Sequence, residues 1–339
     1  MASFRNDYSY LAHPRILDAL ARFANEENVA YGLDNHSENA ERLIKKVFNS
    51  KDGKVYFLAG GTQTNVTFIS YCLKPFEGVI SCDTGHINVH ESAATEGSGH
   101  KIIVVPNKNG KLTPMDITNI VRLHEDEHMV KPGMVYISNS TETGTIYHAQ
   151  ELIDLYKTAK ENGLYFFIDG ARLGAALTAK SNDVEPSLLG KVCDAFYVGG
   201  TKNGLLFGEA LVINNKELQI EFRRHIKNKG AMLAKGFAVS IEFEELFKDN
   251  FYFDLARKTN ESAEALFEVL KKHNLNISDS PTNQVFVTLP KDKARKLIDE
   301  FKLELWREDS NEITVRFVTS FMTSKEDIKE VDRFLDKNF

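Results

Sequence analysis

Cysteine is scarce in this chain: three among 339 residues, Cys72, Cys82 and Cys193, with no CxxC pair. An odd, scattered set argues against a disulfide framework. The thiols are read as small buried hydrophobes of a cytoplasmic protein. No apolar run is long enough to cross a bilayer, and the opening stretch MASFRNDYSYLAH lacks an apolar core of signal-peptide length. There is no surplus of positive charge either. Lys and Arg number 42 against 48 Asp and Glu, a net charge of -6, which gives no reason to expect nucleic acid or an anionic membrane as a partner. Repeats, low-complexity tracts and long linkers are also missing. What remains is an ordinary soluble balance, 42% hydrophobic and 27% charged. The length suits one large domain and a smaller one.

Short β-rich runs alternate with helical patterns. Segments 55–59, 102–105, 134–138, 164–168 and 195–198 are near-continuous β-branched or aromatic runs, as strands covered on both faces require. Helical patterns lie near 63–73, 114–123, 149–162 and 185–190. This alternation predicts an α/β domain on a mostly parallel sheet. Two helices are expected ahead of it, one opened by His13-Pro14 and running to Phe23, the other over 36–48. The style shifts near residue 245. A helix near 253–273, strands at 284–289, 303–306 and 313–318, and helices at 291–301 and 324–336 predict a compact α+β domain. The expected division is therefore 1–245 and 246–339.

Five places carry candidate chemistry. Gly60-Gly61-Thr62 follows a strand and opens a helix, whose free N–H groups and dipole suit an anion such as phosphate. A plain strand-to-helix turn reads the same way. Asp169-Gly170-Ala171-Arg172 ends the most apolar strand, where open α/β sheets bind ligands. There an aspartate needs a positive partner, either a protonated ring nitrogen or Arg172 itself. Gly199-Gly200-Thr201-Lys202 sets a lysine among small residues at another strand end. Desolvation there would supply the neutral amine that an imine needs, and a surface turn is the alternative. His86, in the run Cys82–Glu91, suits stacking on a flat ring and proton exchange. His86 and His90 also have the i, i+4 spacing of metal ligands, without the zincin glutamate. Arg316, inside the apolar strand ITVRFV, needs an anion: a substrate carboxylate or a structural acid. A phosphate cradle, a strand-end Asp and a strand-end Lys, in that order, make up the parts of a pyridoxal phosphate site.

With those residues in hand, the chain resembles the threonine aldolase and aromatic β-eliminating lyase family of fold type I pyridoxal phosphate enzymes. The resemblance runs through NDYSYLAHPRILDAL, Tyr31-Gly32-Leu33-Asp34, AGGTQTN, DTGHINVHE, NSTETGTIY, FIDGARL, GGTKNG and VRFVT. It implies that Lys202 is the Schiff-base lysine and Asp169 the partner of the ring nitrogen. Arg172 would lie near the cofactor oxygen and the substrate carboxylate, Gly61 and Thr62 at the phosphate, and His86 on the ring. Arg316 would bind the substrate carboxylate, and His128 would approach its hydroxyl. Asn6 stands where many relatives place a serine near the carboxylate, and Glu142 where some have histidine. Tyr31 is expected to serve a neighbouring subunit's site in a homodimer or homotetramer. The implied activity is cleavage of a β-hydroxy-α-amino acid to glycine and an aldehyde. β-Elimination on the same scaffold is the alternative.

Overall fold

The computed structural model describes residues 2–106 and 109–339. A seven-stranded sheet forms the larger part. It is built from β1 (Lys54–Leu58), β2 (Glu77–Cys82), β3 (Ile102–Val105), β4 (Lys131–Ser138), β5 (Tyr165–Asp169), β6 (Ala195–Gly199) and β7 (Glu209–Ile213), in the order β1-β7-β6-β5-β4-β2-β3. Only β7 runs against its neighbours, pairing antiparallel with both β1 and β6. The mostly parallel character expected from the sequence is present.

Helices cover both faces of the sheet. One face packs Phe68 and Ile69 of the helix Gly61–Cys72 against Tyr136, Phe167, Tyr197 and Leu211. The other packs Ile44 and Phe48 of the helix Asn35–Phe48 and Phe243 of the helix Phe237–Leu246 against Phe196, Val198 and Val212. Two helix starts follow directly from local sequence. His13 caps the helix Pro14–Arg22 by accepting from the Arg15 N–H, with Pro14 at its first position. Asp34 caps the helix Asn35–Phe48 by accepting from the Ser37 N–H.

The second core is an antiparallel four-stranded sheet of β8 (Asn276–Ile277), β9 (Gln284–Pro290), β10 (Glu304–Glu308) and β11 (Glu312–Val318), in the order β10-β11-β9-β8. The helices Phe251–Lys272, Lys291–Phe301 and Lys325–Asn338 pack on it through Leu266, Leu297 and Val331. The amino-terminal residues join this core. Ala2 and Phe4 are buried in it, and Phe4 is bonded through its backbone to Phe301 and Val318.

The sequence reading missed several elements. β2, β7 and the helices Phe222–Asn228 and Phe237–Leu246 were not expected. The helix expected at 185–190 is only a 3₁₀ turn, Pro186–Leu188, because the four residues between Pro186 and Lys191 leave no room for an α-helical repeat before the buried Val192.

Candidate active site

β5 ends at Asp169 and β6 at Gly199, and the two turns that follow lie against each other. The approach is close. A Cβ on Gly170 would meet the Tyr197 carbonyl oxygen at 1.8 Å, and one on Gly199 would meet that of Ala171 at 2.3 Å. Glycine at both positions is what lets these strand ends converge. Strand alternation then places Tyr136, Asp169, Tyr197 and Glu209 on the face that carries the helix Gly61–Cys72.

Asp169 is buried and accepts four hydrogen bonds. Tyr136 (2.5 Å) and Asn65 Nδ2 (3.0 Å) donate to Oδ2, and Tyr197 (2.5 Å) and the Ala171 N–H (3.0 Å) to Oδ1. Burial opposes the charge, but the His86 ring and the two phenols outweigh it and hold the carboxyl below its ordinary value. Asn65 also donates to Glu91 Oε1 at 2.8 Å, and that oxygen lies 2.7 Å from His86 Nδ1. His86, Glu91, Asn65 and Asp169 thus form one continuous line. His90 is exposed, with its ring 5.5 Å from that of His86.

Lys202 sits in the β6–β7 loop. Gly200 and Thr201 close this loop by donating their N–H groups to the Gly208 carbonyl, both at 3.1 Å. Burial and the nearby Arg172 guanidinium push the amine below the usual lysine value, against the opposing pull of Asp7, Asp169 and Glu209. The Tyr8 ring lies 5.9 Å from Nζ.

Arg172 is already engaged. Its Nε and a terminal nitrogen meet the two oxygens of Asp7 at 2.7 and 3.0 Å, and Asn283 steadies Asp7 from the other side at 2.9 Å. The internal Asp169–Arg172 pair raised from the sequence is not formed: Asp7 takes the guanidinium, and Asp169 spends its oxygens on Tyr136, Asn65, Tyr197 and Ala171. Arg316 lies across from this pair. It donates to Gln284 at 3.0 Å, pairs with Glu304 and stacks on Trp306 at 4.8 Å. Its buried Nε has no partner among the described residues. A structural acid and an unused donor therefore coexist on Arg316.

The start of the helix Gly61–Cys72 has no side-chain cap, and a Cβ on Gly60 would meet nothing within 4 Å. Its first N–H groups are available to an anion, with Thr62 exposed beside them. The arrangement offers an amine for a carbonyl, an ionised carboxylate for a ring nitrogen, an open helix start for a phosphate and guanidinium groups for a carboxylate.

The other expected residues lie elsewhere or are occupied. Asn6 spends its side-chain oxygen on the Tyr8 N–H and the Ser9 hydroxyl. Tyr31, at a left-handed φ of 64°, is exposed and lies 4.7 Å beneath Lys227 in a cleft that does not include Lys202. His128 is exposed just before β4, whose far end, Ser138, pairs with Asp169. That separates it from its own chain's Asp169 by roughly 25 Å along the strand. Glu142 is buried at the site. It accepts from the His86 N–H (3.0 Å) and the Ser138 hydroxyl (2.7 Å), and burial raises its carboxyl.

Residues 5–292 match the family described as beta-eliminating lyase. The chain is 28% identical over 334 residues to the low specificity L-threonine aldolase of Pseudomonas aeruginosa, covering 94% of this chain and 93% of that protein. It is 31% identical over 239 residues to the corresponding enzyme of a Pseudomonas species, covering 70% and 69%. Among solved structures, a threonine aldolase of Leishmania major superposes with a TM-score of 0.95 at 40% identity, covering 99% of this chain and 98% of that one.

Proposed function

The chain belongs to the beta-eliminating lyase family, and from that premise we propose that it cleaves L-threonine, L-allo-threonine and related β-hydroxy-α-amino acids to glycine and an aldehyde, with pyridoxal 5'-phosphate bound at Lys202. The threonine aldolases it resembles over nearly its full length support the reaction. The observation that carries the reading is the convergence of Lys202, Asp169, Arg172 and His86 at one sheet edge. These residues fit the cofactor. The Lys202 amine is shifted toward its neutral form, Asp169 is held ionised, and the helix start at Gly61 and Thr62 is uncapped.

When bound, pyridoxal phosphate supplies an electron sink conjugated to the substrate Cα. The protein's own groups do the rest. Arg316 offers its unpartnered Nε to the substrate carboxylate, and Arg172, anchored by Asp7, adds positive charge beside it. Fixing the carboxylate would orient the substrate so that Cα–Cβ is the bond presented for cleavage. Glu91 accepts from His86 Nδ1, which leaves Nε2 as the basic nitrogen able to take the β-hydroxyl proton as the Cα–Cβ bond breaks. The aldehyde departs, and a proton delivered to Cα completes glycine. Asp169, held ionised, would keep a proton on the cofactor's ring nitrogen.

The chain acts as a homodimer or a dimer of dimers in this reading, with Tyr31 and His128 serving a neighbouring subunit. The exposure of Val29, Tyr31 and Leu33 supports this. No helix among the described residues is long and apolar enough to cross a membrane. We read the protein as cytoplasmic, a reading that its three free cysteines support.

Reconstituted protein given threonine, allo-threonine, phenylserine and cysteine provides the test. Threonine should yield equal amounts of glycine and acetaldehyde. Pyruvate and ammonia from cysteine, with threonine untouched, would assign β-elimination instead. Lys202→Ala should lose the visible absorbance of the bound cofactor, and retention of that absorbance would remove Lys202 from its role.

A further inference from the structure

Glu304 is an acid that the proposed reaction leaves unused, and it sits on a guanidinium that the reaction needs. It lies on β10, an edge strand of the smaller sheet, directly opposite Arg316 of β11. The register then slips. Leu305 faces Val315 and Arg307 faces Thr314, so Trp306 is an extra residue with no partner across the strand. A bulge of this kind re-aims its side chain. The Trp306 ring centroid lies 4.8 Å from the Arg316 guanidinium and 6.2 Å from the ring of His90, which is itself 5.5 Å from that of His86. β10 thus brings an acid and an aromatic face to Arg316, beside the histidines of the site.

Arg316 is held from three directions. Nη1 donates to Oε1 of the fully buried Gln284 at 3.0 Å. The Trp306 ring covers one flat face. Nη2 pairs with Glu304 Oε2, while the buried Nε, whose N–H points the same way, has no partner among the described residues. Nε and Nη2 form the side-on fork of a guanidinium, the pair that takes both oxygens of one carboxylate. Arg172 shows the full arrangement in this same chain, its Nε and Nη2 meeting the two oxygens of Asp7. On Arg316 the fork is half filled, by a single oxygen of Glu304. Burial differs as sharply, since the Arg316 side chain is 9% exposed and that of Glu304 43%.

We infer that Glu304 is a placeholder for the substrate carboxylate, a positioning residue that occupies half of the Arg316 fork until substrate displaces it. The inference rests on the reading of Arg316 as a carboxylate-binding arginine and adds what that arginine holds before substrate arrives. A buried guanidinium is costly to leave without an anion, and Glu304 supplies one to the empty site. Glu304 is half in water, so it loses little on leaving, because solvent takes over its charge. The incoming carboxylate engages both nitrogens where Glu304 engaged one, which favours the exchange. Arg316 keeps one counter-charge in either state. The device sets affinity rather than rate. Part of the substrate's hold on Arg316 is offset by the loss of Glu304, and once the exchange is made the reacting bonds face the same guanidinium.

The test sets KM against kcat in the protein loaded with pyridoxal phosphate. Glu304→Gln keeps the shape but not the charge. Its KM for threonine should be about two- to five-fold lower than native, the range expected from losing a half-exposed ion pair, with kcat nearly unchanged. Glu304→Ala, which removes the contact altogether, should lower KM at least as far. A second readout needs no turnover. Calorimetric titration with glycine should give a Kd lowered by a similar factor in both variants, and should the two readouts disagree, the glycine Kd decides. An unchanged Kd overturns the inference. A raised one overturns it as well, since Glu304 would then be an aid to binding that holds Arg316 in place. Arg316→Lys separates this idea from its parent. If that variant leaves KM and the glycine Kd unaltered, Arg316 does not bind the carboxylate and both ideas fall. If it raises them while the Glu304 variants lower neither, only the placeholder falls.

Discussion

Asp7 and Arg172, 165 residues apart in the chain, meet as a two-pronged ion pair with contacts of 2.7 and 3.0 Å. Asp7 is buried, and the Arg172 side chain is 12% exposed. Burial opposes the Asp7 charge, but Arg172, Lys202 and Asn283 outweigh it and hold the carboxyl below its ordinary value. Stability from this pair is therefore present above the unfolded value of 3.8 and is lost as pH falls through the lower folded one. Asp7→Asn should cost about 3 kcal/mol near neutral pH by leaving a buried guanidinium unpaired. Denaturant titration at neutral and strongly acidic pH would measure this, with the difference between the two proteins narrowing in acid.

Glu91 holds the His86 ring by Nδ1 and so leaves Nε2 for the proton transfer proposed for this histidine. Glu91→Gln preserves the shape but weakens the hold on that proton. Turnover of threonine should drop about ten- to a hundred-fold, with KM little altered and the melting temperature within a few degrees of native. Steady-state kinetics with an aldehyde-coupled assay would show it. Unaltered turnover would remove His86 from handling the hydroxyl proton.

Glu242 is fully buried on the helix Phe237–Leu246 and accepts from the Leu206 N–H at 2.6 Å, on the loop that carries Lys202. Burial pushes its carboxyl up to about 7 from an ordinary 4.5. A raised acid favours the folded state when protonated, so its contribution is greatest below about pH 4.5 and declines as pH climbs through about 7. Glu242→Gln should remove that decline. The gain should be on the order of 1 to 3 kcal/mol in mildly alkaline buffer and close to nothing in acid. Thermal melts across that range would test it, and equal gains at both ends would contradict the assignment.

The strands that sequence located best are those whose burial is written in their residues. Ile102–Val105 matches the expected 102–105, and Ala195–Gly199 extends the expected 195–198 by one residue. β7 was missed because it opens on a glutamate, a residue that ordinarily marks a surface. β2 was missed because Gly78 and Ser81 break up its apolar run. The helix Phe237–Leu246 is buried on nearly every side, glutamates included, so it shows no polar stripe and no readable period. At the site, Lys202, Asp169 and the glycines announced themselves by their place at strand ends. Asp7, Asn65, Glu91 and Glu209 did not. Each acquires its meaning only from a partner brought close by the fold, and no local pattern encodes that partner.

The backbone of Phe4 is bonded to Phe301 and Val318, and Asp7 three residues later to Arg172 and Asn283. A ribosome makes this stretch hundreds of residues before most of its partners. The larger sheet can assemble while the chain is still growing, but Asp7 cannot reach Asn283 until the smaller core exists. The contact between Asp7 and Asn283 is thereby deferred to the last stretch of synthesis, long after Lys202 has been added to the chain.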